Sequence, residues 1–340
     1  MKTMKAAIYY GQKHVEVKEL PIEECGPDDV LVQNIYSSIC GTDVAVYQHG
    51  PNTGHKVTPG GEFGHETVSR VVKVGENVKD VQVGDRIYPY PLLAKNDISR
   101  AGTLGGFSQY MLLPKAKLNR SFYKVPAAIS DRLAALTEPF TVGTRAARRG
   151  NPQAGEHGIV FGAGTIGIAA AVALKHFGMD KVMICDLADF RLNIARELGF
   201  EVCNPGKEDW REKAQAYFGQ ARSLTGEVAD IDEWVDAAGA TSILDDFFDF
   251  GKISSRFVAV AVNNKPRQVD LLHMTYAQQS LIGSGGYFPE DVKDVFAIMS
   301  SGKWPLEKMI TQEYPLDQIV TGLETASDPS KALNVIVKPN

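Results

Sequence analysis

The hexapeptide Gly162-Ala163-Gly164-Thr165-Ile166-Gly167 constrains the fold more than any other stretch of the chain. It follows a short apolar run, Ile159-Val160-Phe161, and opens a stretch from Thr165 to Phe177 with helical patterning and many alanines. Glycines at these three places permit a tight turn after a strand, close approach of backbone to a pyrophosphate, and close helix-on-strand packing. The helix N-terminus then faces the phosphates. A second run, Val182-Met183-Ile184-Cys185, ends at Asp186, 19 residues past Gly167, the spacing of an acid that accepts hydrogen bonds from a ribose. Strand, glycine loop, helix, strand and acid in this order predict a dinucleotide site. A carboxylate at Asp186 would repel the 2′-phosphate of NADP, so NAD is the expected cofactor. Arg191, five residues on, either attracts a phosphate or packs beside the adenine.

Around this motif the texture of the chain changes near Asn151. Upstream, short β-branched or aromatic runs (Ala6 to Tyr10, Val30 to Val32, Val68 to Val74) are punctuated by Gly26-Pro27-Asp28-Asp29, Pro59-Gly60-Gly61 and Gly84-Asp85, the pattern of a barrel-like β lobe. Downstream, Trp234-Val235, Phe257 to Val262 and Leu281-Ile282 continue an alternation of strands and helices, which predicts a parallel sheet with right-handed crossovers. Helices are expected from Val292 to Met299 and from Leu316 to Ala326. A last strand, Asn334 to Val337, is placed to return to the first lobe.

A length of 340 residues suits about two domains. The net charge of −5 gives no electrostatic footprint for nucleic acid or an anionic membrane. The longest uncharged stretch, Gly158 to Leu174, is too short and glycine-punctured for a membrane span, and Met1 to Val17 lacks the pattern of a signal peptide. Four scattered cysteines form no disulfide framework and fit a reducing, cytoplasmic compartment.

Two short segments carry metal-ligand chemistry, Cys40-Gly41-Thr42-Asp43 and Gly64-His65-Glu66. Leu136-Thr137-Glu138-Pro139 adds a carboxylate. Thiolate, imidazole and carboxylate are ligands that zinc accepts in an open catalytic site. Nothing in their spacing fixes a tetrahedron, and each residue also has an ordinary structural use: Cys40 as a small core residue, His65 as a hydrogen-bonded histidine, Glu138 at a helix start.

These stretches, together with Val83-Gly84-Asp85-Arg86, Gly105 to Tyr110, Thr141-Val142-Gly143, the glycine loop, Asp186-Leu187 with Arg191-Leu192, and Tyr314-Pro315-Leu316, occur in one order along the whole chain. In this the sequence resembles the zinc-dependent medium-chain dehydrogenases, and among them the polyol (sorbitol-type) dehydrogenases. The resemblance implies an α/β protein with a GroES-like β-rich catalytic domain over 1–150, completed by 289–340, and a doubly wound Rossmann domain over 151–288. It implies one catalytic zinc between them, with Cys40 and His65 as ligands and Glu66 and Glu138 as the carboxylate positions, one binding directly and the other swapping in or holding a water. Asp43 would orient the ligand imidazole, and Thr42 would take the first proton from a zinc-activated alcohol as hydride passes to NAD. A homodimer or homotetramer, joined at the late edge of the nucleotide sheet, is implied as well.

Five departures from the family's pattern bear on the site, one of them Val46 where polyol enzymes often place an aromatic. Ile87 to Leu104 holds no cysteine where many relatives carry a structural zinc lobe, so a remodelled lobe is expected. Ala45 stands where a relay histidine is common, which leaves His49 or water as the proton exit. Arg145 and Gly286 replace a usual histidine and a substrate-facing arginine. The expected activity is oxidation of a secondary alcohol in a polyol, cyclitol or sugar acid. An amino alcohol or simple alcohol is the alternative, and a cofactor-binding protein without turnover a more distant one.

Overall fold

The computed structural model describes residues 2–263 and 265–340. The chain divides into two compact units, Met1–Glu138 with Met299–Gly302 and Leu306–Asn340, and Pro139–Ile298 with Lys303–Pro305.

The first unit opens on β1 (Thr3–Gly11) and β2 (His14–Pro21), an antiparallel pair. Then follow β3 (Val30–Ser38), helix α1 (Gly41–His49), the short β4 (Gly61–Glu62) beside β1, and β5 (Glu66–Val74). β6 (Arg86–Pro89), β7 (Tyr110–Leu113) and β8 (Phe122–Lys124) complete this part. The β3–β5 pairing fixes the geometry that matters later, because it sets Ser38 directly opposite Glu66. Val30 and Val32 face the core and hold the register at the start of β3, and irregularities at Leu31/Val32 and Asn34/Tyr36 shift it before Ser38. Two apolar clusters flank the sheet, one with Tyr9, Val46, Phe63 and Phe107, the other with Val30, Ile87, Leu113 and Phe122.

The second unit holds six parallel strands: β9 (His157–Phe161), β10 (Lys181–Cys185), β11 (Glu201–Cys203), then β14 (Glu233–Asp236), β15 (Arg256–Ala259) and β16 (Ser280–Gly283). A small antiparallel hairpin, β12 (Gln220–Arg222) with β13 (Glu227–Ala229), lies between β11 and β14 and was not expected. The strand order β11-β10-β9-β14-β15-β16 is doubly wound, with a reversal beside β9 that opens a crevice at the strands' carboxyl ends. The inner strands are buried on both faces, as helices on both sides of a parallel sheet require. β15 is shorter than the apolar run that announced it. The N–H groups of Val260 and Ala261 both donate to the Asp236 carbonyl, at 3.1 and 2.9 Å, which turns the chain off the sheet and leaves Val262 81% exposed.

The chain then returns to the first unit. β17 (Ile310–Pro315) and β18 (Asn334–Lys338) add to the edge of β3 in the order β17-β18-β3-β5-β6-β8, so the expected homeward strand is present. The helix expected from Leu316 starts as a 3-10 turn, Leu316–Gln318, before Ile319–Ala326.

The glycine loop occupies the turn after β9. Gly162 has φ +105°, a left-handed conformation that L side chains avoid. Gly167 lies in the first turn of the helix Thr165–His176, where a Cβ would stand 1.8 Å from the Gly162 carbonyl oxygen. Gly167→Ala is therefore expected to lower the thermal midpoint by several degrees, given a cost of about 1–3 kcal/mol for overpacking. Calorimetry giving an unchanged midpoint would show that the helix moves off the strand without cost.

Candidate metal centre and nucleotide site

In the first unit, two segments converge because of the β3–β5 pairing. Cys40 caps α1 two residues beyond Ser38. His65 and Glu66 enter β5 opposite Ser38. Gly64, at φ +87°, makes the turn into His65, and its missing side chain admits the Phe107 ring, 2.6 Å from where a Cβ would lie. Ligand atoms of Cys40, His65 and Glu66 all lie within 4.8 Å of one another.

Asp43 organises this group from beneath. Its side chain is fully buried. One oxygen, Oδ2, accepts the Cys40 N–H at 3.1 Å and closes the turn around the thiol. The other, Oδ1, faces His65 Nδ1 at 3.7 Å and His55 Nε2 at 3.5 Å. With Nδ1 turned to Asp43, Nε2 is the His65 nitrogen left for a metal. Thr42 Oγ1 donates to Cys40 Sγ at 3.2 Å and lies 2.8 Å from His55 Nδ1. Glu138 is buried at the start of the helix Thr137–Arg149, close enough for its charge to act on Cys40, Asp43 and His65. It is not one of the three groups within 4.8 Å.

The electrostatics call for a cation. Burial, then the charges of Glu66, Asp43 and Glu138, push the Cys40 thiol well up. Burial pushes Asp43 up to about 6 and raises Glu66. Burial works against a charged His65, but Asp43, Glu138 and Glu66 outweigh it and raise its pKa. Four acidic groups thus surround one basic ring. Glu66 Oε2, Asp43 Oδ1 and His65 Nδ1 are buried without a hydrogen-bond partner. Sulfur, nitrogen and oxygen donors on zinc stand about 3.3–3.8 Å apart in a tetrahedron with bonds of 2.0–2.3 Å. The side chains present fit that ion.

His55 is the member of this cluster that sequence reasoning missed. It lies 13 residues from Thr42 on an irregular segment with no motif around it. His49, the relay considered from sequence, is the exposed last residue of α1.

In the second unit, Asp186 follows β10. Its oxygens accept the N–H groups of Ala163 at 2.6 Å and Ala188 at 2.7 Å, which ties the acid to the glycine loop while each oxygen keeps a lone pair. Arg191 Nη1 reaches over the loop, 3.9 Å from where a Gly164 Cβ would be. Thr165 and Ile166 open the helix that follows. A cavity of about 350 Å³ beside them is lined by Gly162, Asp186, Leu187, Trp210 and Ile243, among others.

Comparison with known proteins finds matches along nearly the whole chain. Residues 26–126 match the alcohol dehydrogenase GroES-like domain and residues 165–301 the zinc-binding dehydrogenase domain. The chain is 27% identical to sorbitol dehydrogenase of Mus musculus, over 97% of this chain and 94% of that one. It is 26% identical to L-threonine 3-dehydrogenase of Xanthomonas campestris, over 97% and 98%. The crystal structure of 2R,3R-butanediol dehydrogenase from Bacillus subtilis superimposes with a TM-score of 0.84 at 25% identity, covering 99% of this chain and all of that one.

The convergence of Cys40, His65 and Glu66 predicts about one zinc per purified chain by elemental analysis. Cys40→Ser should lose the metal and keep its far-ultraviolet circular dichroism. Two tightly held zincs per chain would place a second ligand set elsewhere.

Proposed function

We propose a function from one premise: the chain belongs to the zinc-containing alcohol dehydrogenases of the medium-chain family, and is an oxidoreductase. Its reaction is the NAD-linked oxidation of a secondary alcohol in a small polyhydroxy compound, a polyol, cyclitol or sugar acid, or the reverse reduction. The observation that carries this reading is the donor set of Cys40, His65 and Glu66 within 4.8 Å, in a chain that also ties Asp186 to its glycine loop. Sorbitol, butanediol and threonine, the substrates in the relatives' names, all carry a secondary alcohol beside a second polar group. An amino alcohol is therefore the second reading.

When bound, zinc supplies a Lewis acid that lowers the pKa of the substrate hydroxyl, and the nicotinamide supplies the hydride acceptor. Cys40, His65 and Glu66 hold the metal, and Glu138 is the reserve carboxylate. Asp43 Oδ1, 3.7 Å from His65 Nδ1, is the carboxylate placed to orient that imidazole. Thr42 Oγ1, next to Cys40 Sγ, would take the substrate proton as its own passes on to water. Asp186 accepts the ribose hydroxyls, and Gly162, Gly164 and Gly167 let the pyrophosphate approach the start of the helix Thr165–His176, with Arg191 above the loop.

Assembly is part of this reading. β16 is the last strand of its sheet. Val262, Leu271, Leu272 and Tyr276, on the connection that leads into it, are 67–81% exposed. An unpaired edge beside exposed apolar side chains favours pairing with a second copy. Light scattering at micromolar concentration should give at least a dimer; the mass of one chain would remove this part of the proposal.

The activity is tested by NADH absorbance with zinc-loaded protein against polyols, cyclitols, sugar acids and amino alcohols. Turnover of a polyhydroxy compound supports the first reading, and turnover of amino alcohols alone supports the second. NAD binding without turnover of any alcohol would mean that the protein binds cofactor without catalysis. NAD should work better than NADP. Asp186→Ser should narrow that preference at least tenfold, since a charged hydrogen bond contributes ~1.5–3 kcal/mol. Faster wild-type turnover with NADP at equal concentration would refute the cofactor assignment.

A further inference from the structure

The connection between β6 and β7, the remodelled lobe without cysteines, folds back onto the metal loops. Thr103 forms a parallel bridge with Gly64, directly before His65, and the Gly106 N–H donates to the Gly64 carbonyl at 3.0 Å. One residue earlier, Gly102 lies flat against the His55 imidazole. A Cβ on Gly102 would stand 2.3, 2.5 and 2.9 Å from Cδ2, Cγ and Cβ of His55, inside any carbon–carbon contact distance. Gly102 is not among the residues with positive φ. Packing against one imidazole, not backbone conformation, is what excludes a side chain there.

His55 in turn bears on Thr42 from two directions. Its Nδ1 is 2.8 Å from Thr42 Oγ1. Its neighbour Gly54 packs on the backbone of Thr42, with a Cβ position 2.6 Å from the Thr42 carbonyl oxygen and 2.7 Å from Cα. The far side of the ring meets Asp43 Oδ1 at 3.5 Å and the His65 ring edge-on at 5.1 Å. The His55 side chain is 16% exposed, so it has little room to swing away. A threonine hydroxyl has several staggered rotamers. With Cys40 Sγ on one side and His55 Nδ1 on the other, one of them is selected.

We propose that His55 is a positioning residue that fixes the Thr42 hydroxyl beside Cys40, and that Gly102 of the lobe sets where the His55 ring lies. This rests on the reading above, in which Thr42 Oγ1 carries the substrate proton. It gives the lobe a task in the reaction: its backbone is the wall against which the imidazole rests.

The test is a double-mutant cycle on zinc-loaded, full-length protein, with zinc content and thermal midpoint measured for each variant. Gly102→Ala and His55→Ala should each lower kcat roughly tenfold to a hundredfold, with KM changing much less, as misplacing a group by about 1 Å does. In the His55→Ala background, Gly102→Ala should have no further effect, because the space has been vacated. His55→Asn, whose amide can reach the hydroxyl, should recover part of the loss. Independently of turnover, the His55 imidazole resonance should move in Gly102→Ala and in Thr42→Val. Additive losses, a wild-type kcat in His55→Ala, or loss of zinc from that variant would overturn the positioning role. An unmoved resonance in Gly102→Ala would overturn the part given to the lobe. A wild type that holds zinc but oxidises no alcohol overturns the positioning role together with the reading it rests on, and the resonance still reports whether Gly102 places the ring.

Discussion

The Cys40 turn and both imidazoles of the candidate centre meet at the Asp43 carboxylate. One oxygen holds the turn that presents Cys40, and the other faces the two imidazoles that flank it. A carboxylate with no exposed surface costs several kcal/mol unless its charge is met. Here the compensation comes from a backbone N–H, from His65 and from whatever cation the donors hold. The cost makes the arrangement specific. Rotating Asp43 away would leave a buried charge with less compensation, so the turn, the thiol and the ring orientation stand or fall together.

That arrangement depends on a sheet built for another purpose. Ser38 opposes Glu66 at the end of the β3–β5 ladder, after two irregularities, at Leu31/Val32 and Asn34/Tyr36, have shifted its register. Cys40 and His65 are then carried to the same end of the sheet by the chain on either side. The Cys40–Glu66 approach is a by-product of strand pairing, and the side chains at the strand ends are free to be chemical rather than apolar. In the second unit the same division holds. Gly162 is required by its left-handed turn and the backbone of Ala237, Gly167 by the close approach of the helix to the Gly162 carbonyl, and the loop those glycines make is the one that Asp186 grips.

Features carried by local spacing were legible in the sequence. The glycine loop, its helix and Asp186 are a contiguous pattern, and a hydrogen bond from the Ala163 N–H to Asp186 joins its two ends. Cys40, Thr42 and Asp43 lie within one turn, and His65 and Glu66 are adjacent, so their approach required only the pairing of two strands. The homeward strand at Asn334 was readable as an apolar run with no place in the parallel sheet. What could not be read were contacts between irregular segments. His55 sits in a loop rich in Gly, Pro and Asn, with no periodicity to mark it, and Gly102 matters only through the ring it touches. Ala45 holds the family's usual relay position and His49 lies on the same segment, whereas the imidazole beside Thr42 comes from farther along. The end of β15 is hidden for a similar reason. Apolar character runs to Val262, but two backbone bonds to Asp236 decide where the strand stops.

The last strand, β18, has a bearing on how the protein is made. It pairs with β3 at Ser37 and Ser38, the Asn334 amide donates to the Ser38 hydroxyl at 2.8 Å, and the Ile39 N–H donates to the Val335 carbonyl at 2.9 Å. The residues leading into Cys40 are thus held by a segment translated some 300 residues later. A nascent chain emerging from the ribosome can fold its nucleotide sheet from continuous sequence, but the strand end that leads into Cys40 lacks its neighbour β18 until Asn334–Lys338 has been synthesised. Until then the thiol loop is braced from one side alone, by the β3–β5 pairing and the Asp43 carboxylate.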